Sequence, residues 1–295
     1  MAIEQILTIA PIGLAIGSVY AMIGLGLNVI FATTGILNVA HGDLFMMGTM
    51  VGFAVYVLLG WPLIPALLAT VVITAIVAAI VERVAVRPAI TSGQGAFGWV
   101  LSTLGAAITL TAAFTIIMGP DIRIFPAIFP SEQLIVAGVR LQPQHLGLIL
   151  VALLVTVGLQ AFYGRSLLGQ ALGAVAQDRE AAAMRGIPVA RLSLLAFMIG
   201  GGVAALAGFL VAPVIGAFAA VGFPFLLKGF IAAAVGGIPD LRGSLIGGWL
   251  IGLIEMYGVA IVGSGYRTPL VFAVLLIVLV VRPDGLFGRS TVRAV

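Results

Sequence analysis

The chain has 295 residues, of which 62% are hydrophobic and only 8% charged, against about 25% charged in an ordinary soluble domain. So few polar side chains cannot cover a water-facing exterior, and the composition defines an integral membrane protein. The net charge of +4 comes with no base-reading or phosphate-cradling motif that would suit nucleic acid, and the absence of cysteine excludes disulfides and zinc–thiolate sites.

Crossing ~30 Å of hydrocarbon takes roughly twenty apolar residues. Such runs fall near 6–31, 43–60, 63–81, 96–118, 146–162, 193–212, 219–238, 244–262 and 268–282. The first is preceded by Glu4, with no basic flank or cleavage signal, which predicts a retained span. The runs are continuous rather than alternating, which excludes a barrel. The expected fold is all-α, a single polytopic bundle over 1–295 with eight to nine spans. The number turns on whether 35–43 crosses, ends or breaks a helix.

Arginines sort the connections into two sides. Grouping 82–95, 163–192, 239–243 and 282–295 collects Arg83, Arg87, Arg165, Arg179, Arg185, Arg191, Arg242, Arg282, Arg289 and Arg293, leaving Arg123, Arg140 and Arg267 opposite. The positive-inside rule makes the first group cytoplasmic, with the carboxyl terminus inside and, for nine spans, the amino terminus outside. Segment 119–147, with Pro120, Pro126, Pro130 and Pro143, becomes the long external loop, and 163–192 the long cytoplasmic one.

Glycines at Gly24, Gly26, Gly200 to Gly202, Gly236, Gly237, Gly247 and Gly248 suit close helix packing in lipid. Two interruptions point further, to a pathway lined by unwound backbone: 38–43, with Asn38, His41 and Asp43, and 236–244, with Gly236 and Gly237. Asn28 and Asn38 suit helix bridging or solute contact, while His41 with Asp43 is expected at the cytoplasmic interface and Trp61 at the outer one. Neither His41 nor His145 has a catalytic companion, so no enzymatic constellation emerges and no cofactor or metal site is expected in this chain.

Charges inside spans are costly and face the bundle interior. If 219–238 and 244–262 form a hairpin turning near Leu241, Lys228 and Glu255 lie thirteen and fourteen residues from the turn. At 1.5 Å per residue both sit roughly 20 Å from that end and can pair, as a structural ion pair or beside a solute path.

The most polar long stretch is 169–192. Asp178 can cap a short helix, the next residues are rich in alanine, and Gly186 with Pro188 stops it. About eight residues of helix result, outside the bilayer, with a small apolar face through Ala181, Ala182 and Met184. That face suits a groove on a partner protein or the lipid surface.

Glu180-Ala181-Ala182 with Gly186 resembles the loop by which permease subunits of binding-protein-dependent ABC importers contact their ATPases. More of the chain is similar to the branched-chain amino acid permeases of the LivH type. The shared elements include 35–42 with Met46, Met47 and Gly48, then Val81-Glu82-Arg83, Arg87-Pro88, Lys228, Gly236-Gly237, Gly248 through Glu255, and 282–288. The Ile-x-Leu-Pro ending of the general importer loop is absent, that place reading Ala196-Phe197-Met198-Ile199.

The resemblance implies an inner-membrane subunit forming the pathway for branched-chain amino acids, with no enzymatic activity of its own. Its partners would be membrane lipid, a second, LivM-like permease subunit, two ATPases holding ATP and Mg, and a periplasmic binding protein. Asp178, Glu180, Ala181, Ala182, Met184 and Gly186 would couple to the ATPases. Asn28, Asn38, His41, Lys228, Gly236, Gly237 and Glu255 would line or gate the path. An importer of amides, urea or aromatic acids, an ATP-independent carrier and an assembly scaffold are the alternatives.

Overall fold

A computed structural model describes residues 3–91, 95–130, 132, 134–136 and 139–288. Helix α1 (Ile3–Thr34) is followed by α2 (His41–Gly52), which continues as π-helix through Leu58, then α3 (Leu63–Val81), α4 (Arg87–Thr91) and α5 (Gly95–Met118). A small antiparallel hairpin, β1 (Leu134–Val136) and β2 (Val139–Leu141), precedes α6 (Pro143–Arg165), α7 (Leu167–Gln177) and α8 (Arg179–Met184). The chain closes with α9 (Val189–Ile215), α10 (Gly222–Gly236), α11 (Leu241–Val262) and α12 (Arg267–Val281). Among the described residues nine helical runs are long and apolar enough to cross a membrane. Segment 35–43 adds no crossing. It is a link at 35–40, followed by the first turn of α2.

Helix α1 is the axis, packed on α6, α9, α10 and α11. It is apolar all round, as a helix surrounded by others must be, and Val19, Ala21, Met22, Ile23 and Leu25 are fully buried or nearly so. Glycine permits the approach. A methyl group at Gly26 would lie 2.7 Å from the Gly200 carbonyl oxygen and from the His41 ring, so the glycine reading as close packing holds there. The opposite condition holds on α3, α5 and α12, where Leu68, Val72, Ile76, Leu101, Ile108, Leu276 and Val280 form exposed apolar surfaces of the kind that meets lipid.

The ends divide as the arginines do. At one lie α7 and α8, the start of α9, the α10–α11 turn and the segment after α12, whose Leu286 and Phe287 amides donate to the Val235 and Gly236 carbonyls. Arg289 and Arg293 fall outside the described residues. At the other end the α5–α6 connection is pinned by paired backbone hydrogen bonds between Arg123 and Ala217, both 2.9 Å, and by buried Phe125 stacked on Tyr56. That connection stops at residue 142, because Pro143, expected in irregular chain, begins α6. Proline fits a first turn, where its missing N–H has no partner to lose.

The largest departure concerns His41 and Asp43. They are not at a membrane interface: His41 is fully buried and Asp43 5% exposed. Gly35, with φ of 71°, reverses the chain after α1, and the link runs back into the bundle before α2 begins. His41 packs on Gly26, eight residues before the end of α1. At 1.5 Å per residue the second span therefore starts about 12 Å inside the first one's end. His145, expected in a loop, likewise lies in the first turn of α6 and is buried.

Candidate coupling element and membrane site

Asp178 caps α8 as its residue type requires, accepting the Ala181 N–H at 2.9 Å. Gly186, with φ of 81°, closes it. The helix is six residues, shorter than the expected eight, and α7 occupies the preceding stretch that the sequence left as loop. Its faces correct the expected contact surface. Ala182 is 4% exposed and packs inward with Leu172, Val175, Leu192 and Ala196, while Met184 is 83% exposed. Two residues on a 3.6-residue helix lie about 200° apart, so Ala182 and Met184 cannot share a face. The outward surface is Glu180, Ala183, Met184 and Arg185, with Ala181 half-buried beside it.

Two attachments join this element to the bundle. Arg179 Nη1 donates to the Thr34 carbonyl at 3.4 Å, meeting one of the orphan acceptors at the end of α1. The Ala182 cluster packs against Val29 of α1 and the start of α9. The start of α9 is in turn tied to α3: buried Glu82 accepts from Arg87 at 2.9 Å and from Ser193 Oγ at 3.0 Å, while Arg87 also donates to the Ala190 carbonyl. On its other side, α7 faces the α10–α11 turn across clefts of about 570 and 600 Å3, both lined by Gln177 and Asp240 and the second also by Asp284.

Within the membrane, Lys228 and Glu255 do pair, Nζ to Oε1 at 2.7 Å. The sequence missed their companions. Tyr20 Oη donates to Glu255 Oε2 at 2.8 Å and accepts from Lys228 at 3.1 Å, and Arg267 Nε lies 2.9 Å from Oε1. A fully buried carboxylate thus has two cations and a phenol around it, joining α1, α10, α11 and α12. Excellent geometry is what lets a buried ion pair offset its desolvation, and here Tyr20, Lys228 and Arg267 each aim a donor at one carboxylate. Arg267 was signalled only as a charge beside a span end, and Tyr20, in the middle of the first span, meets Glu255 across 235 residues of sequence.

The remaining candidates separate. Asn28 Nδ2 donates to Ser244 Oγ at 2.5 Å and to the Asp240 carbonyl at 3.2 Å, which is helix bridging, though Asn28 also lines the cleft of about 570 Å3. Gly236 lies against Gly243 and Gly237, with φ of 103°, turns the chain against Gly288; both serve close packing. His41 Nε2 is 3.2 Å from the Ile23 carbonyl, inside the bundle. Asn38 is buried in the non-helical link, its Oδ1 accepting the Ala40 N–H at 3.1 Å and its Nδ2 without a partner. Asp43 accepts from Thr111 Oγ1, a contact to α5 that the sequence did not suggest. No cluster of three or more His, Cys, Asp or Glu that could hold a metal occurs among the described residues.

Among the described residues, nine apolar helices of membrane-crossing length, one of them starting deep inside the bundle, and a capped helix hung on one end define a multi-pass membrane protein. The sequence profile described as "Branched-chain amino acid transport system / permease component" matches residues 10–281, and the chain belongs to that family. It is 31% identical to the high-affinity branched-chain amino acid transport system permease protein BraD of Pseudomonas aeruginosa, over 96% of each chain. It is 30% identical to LivH of Escherichia coli K12 over the same shares. A probable LivH of Methanocaldococcus jannaschii is 25% identical over 90% of this chain and 88% of its own. Among solved structures, PsaBC from Streptococcus pneumoniae, in complex with Fab, superposes with a TM-score of 0.55 over 92% of this chain and 91% of its own. At 12% identity that likeness speaks for the fold alone.

Proposed function

We propose that the chain is one of the pathway-forming permease subunits of a binding-protein-dependent ABC importer, carrying branched-chain aliphatic amino acids. The observation that carries this reading is α8: a capped helix outside the bundle, with Ala182 anchored inward and Met184 offered outward. An ATP-independent carrier needs no such lever, and an assembly scaffold needs no link from it to a broken span. The chain hydrolyses nothing; ATP and Mg2+ sit in two partner ATPases, a LivM-like second permease completes the path, and a periplasmic protein delivers the solute.

The arginine-bearing end faces the cytoplasm of the inner membrane by the positive-inside rule, with the amino terminus periplasmic and the carboxyl terminus cytoplasmic. Closure of the ATPases pushes on Glu180, Ala183 and Met184. The push passes inward through Ala182 to α9 and through Arg179 to the end of α1, next to the link at 35–40. Rigid-body tilting of packed spans then alternates access between the two sides.

The test is uptake of L-leucine into proteoliposomes holding the complete complex and its binding protein. Uptake is expected only with ATP and only with the ATPases present. Undiminished uptake without either would establish an ATP-independent carrier, and uptake of urea or amides in preference to leucine would replace the solute.

A further inference from the structure

The cleft of about 570 Å3 between α1, α6, α7 and the start of α11 lies at the arginine-bearing end of the bundle. Its volume falls within the roughly 300–1,000 Å3 of small-molecule sites. Two opposite charges line it, Asp240 and Arg242, and neither is used up. Asp240 Oδ1 accepts the Gly243 N–H at 2.7 Å as the cap of α11, which leaves Oδ2. Arg242 donates from Nε to Gln160 Oε1 at 3.0 Å, which leaves both terminal nitrogens. The ion pairs among the described residues involve neither of them, so the two charges share a cleft without neutralising each other. Both are reachable: Asp240 is half-buried and Arg242 exposed, as is Gln177 on the α7 side. Asn28, 1% exposed, holds this end of α11 in place through the Asp240 carbonyl and Ser244, and its Oδ1 has no partner. Val29, Ala32 and Leu241 supply an aliphatic part of the wall.

We propose that this cleft binds the zwitterionic head of an amino acid on the cytoplasmic side, after the solute has crossed. A simple anion would be repelled by Asp240 and a simple cation by Arg242. A molecule with an ammonium and a carboxylate on one carbon suits both, with a charge-assisted hydrogen bond at each end. Asp240 Oδ2 accepts from the α-ammonium, the terminal nitrogens of Arg242 donate to the α-carboxylate, and a branched aliphatic side chain lies against Val29, Ala32 and Leu241. The cytoplasmic side and the aliphatic side chain rest on the reading of the chain as a permease for such amino acids; the zwitterion rests on the two unpaired charges.

The chain has no cysteine, so a single introduced thiol reports on the cleft directly. In the complete transporter in lipid nanodiscs, where both faces meet solvent, Gln177→Cys is alkylated with a small water-soluble maleimide and labelling is read at residue 177 by mass spectrometry. L-leucine is expected to slow labelling at least fivefold. N-acetyl-L-leucine, without the ammonium, and L-leucinamide, without the carboxylate, are expected to leave it unchanged. Adding Asp240→Asn keeps a side chain able to cap α11 but removes the negative charge, and Arg242→Gln removes the positive one; leucine protection is expected to vanish in each. Labelling indifferent to leucine overturns the proposal, as does equal protection by both analogues or protection that survives both substitutions. So does a residue 177 that never labels, the result if an ATPase covers the cleft. Labelling slowed by phosphatidylethanolamine in the disc but not by leucine would give the cleft to a lipid headgroup instead. Uptake by the unmodified transporter is measured in proteoliposomes alongside. Intact ATP-driven leucine uptake with no protection sinks the cleft alone, whereas no such uptake sinks the importer reading.

Discussion

The surroundings of Glu255 and the two faces of α8 show charge and apolar surface used in opposite ways. Around Glu255, Tyr20, Lys228 and Arg267 converge from three helices on a fully buried carboxylate. Neither Glu255 nor Lys228 can shift without uncovering charge in a low-dielectric interior, so the cluster fixes α1, α10 and α11 together, with the half-exposed Arg267 adding α12. At α8 the attachments are one carbonyl contact from Arg179 and one small apolar cluster, with polar clefts on the side toward the α10–α11 turn. An element so held can move relative to the bundle at little cost. The difference separates the residues that hold the structure from those that transmit force through it, and substitutions test that division.

The largest effect is expected at Glu255. Glu255→Ala leaves Lys228 and Arg267 without their anion and should lower stability by about 3–5 kcal/mol, the usual penalty for breaking a buried pair. Thermal unfolding of the purified chain in detergent measures it, and an unchanged midpoint would dissolve the contrast. Gly26→Val comes next, because the added atoms meet the Gly200 carbonyl and the His41 ring. Overpacking of this kind costs about 1–3 kcal/mol, visible in the same unfolding curve. Tyr20→Phe removes a hydrogen bond to a charged group, worth about 1.5–3 kcal/mol, and should fall below Glu255→Ala in the same assay.

Smaller still is the cap of α8. Asp178→Ala should cost about 1 kcal/mol locally, raising amide exchange over residues 179–184 while the bundle's exchange stays as it was. Within α8 the two faces should part. Ala182→Asp puts a carboxylate among Leu172, Val175 and Leu192 and should loosen the whole 167–192 segment. Met184→Asp touches nothing inside the chain and should leave exchange unaltered.

The nine membrane-length helices among the described residues fall on runs that hydrophobic length locates, because each stretch that must cross lipid is written contiguously, but length alone left eight or nine spans open until the path of 35–43 was seen. Lys228 and Glu255 could be paired by counting from a turn, since both sit on one hairpin. Tyr20 and Arg267 could not, because which side of α1 faces α11, and how α12 folds back, are set by packing between distant segments. The depth of His41 and Asp43 was hidden for a related reason. A polar stretch between two apolar runs looks the same whether it rests at the surface or turns inward, and only Gly35 hinted at the reversal. For α8 the cap and the stop were readable, yet the inward face was not: Ala181, Ala182 and Ala183 are alike in sequence, and Leu172, Val175 and Leu192 decide which of them is covered.

Met184→Asp in the complete transporter tests most directly whether α8 is the point where the ATPases drive the membrane bundle. Co-purification of the ATPases with the permease is the measurement, alongside the unfolding midpoint of the variant chain. Loss of the ATPases, with the midpoint unchanged, is the expected result. Full retention of both ATPases, with ATP-driven leucine uptake at the unmodified rate, would contradict the assignment of that face as the contact.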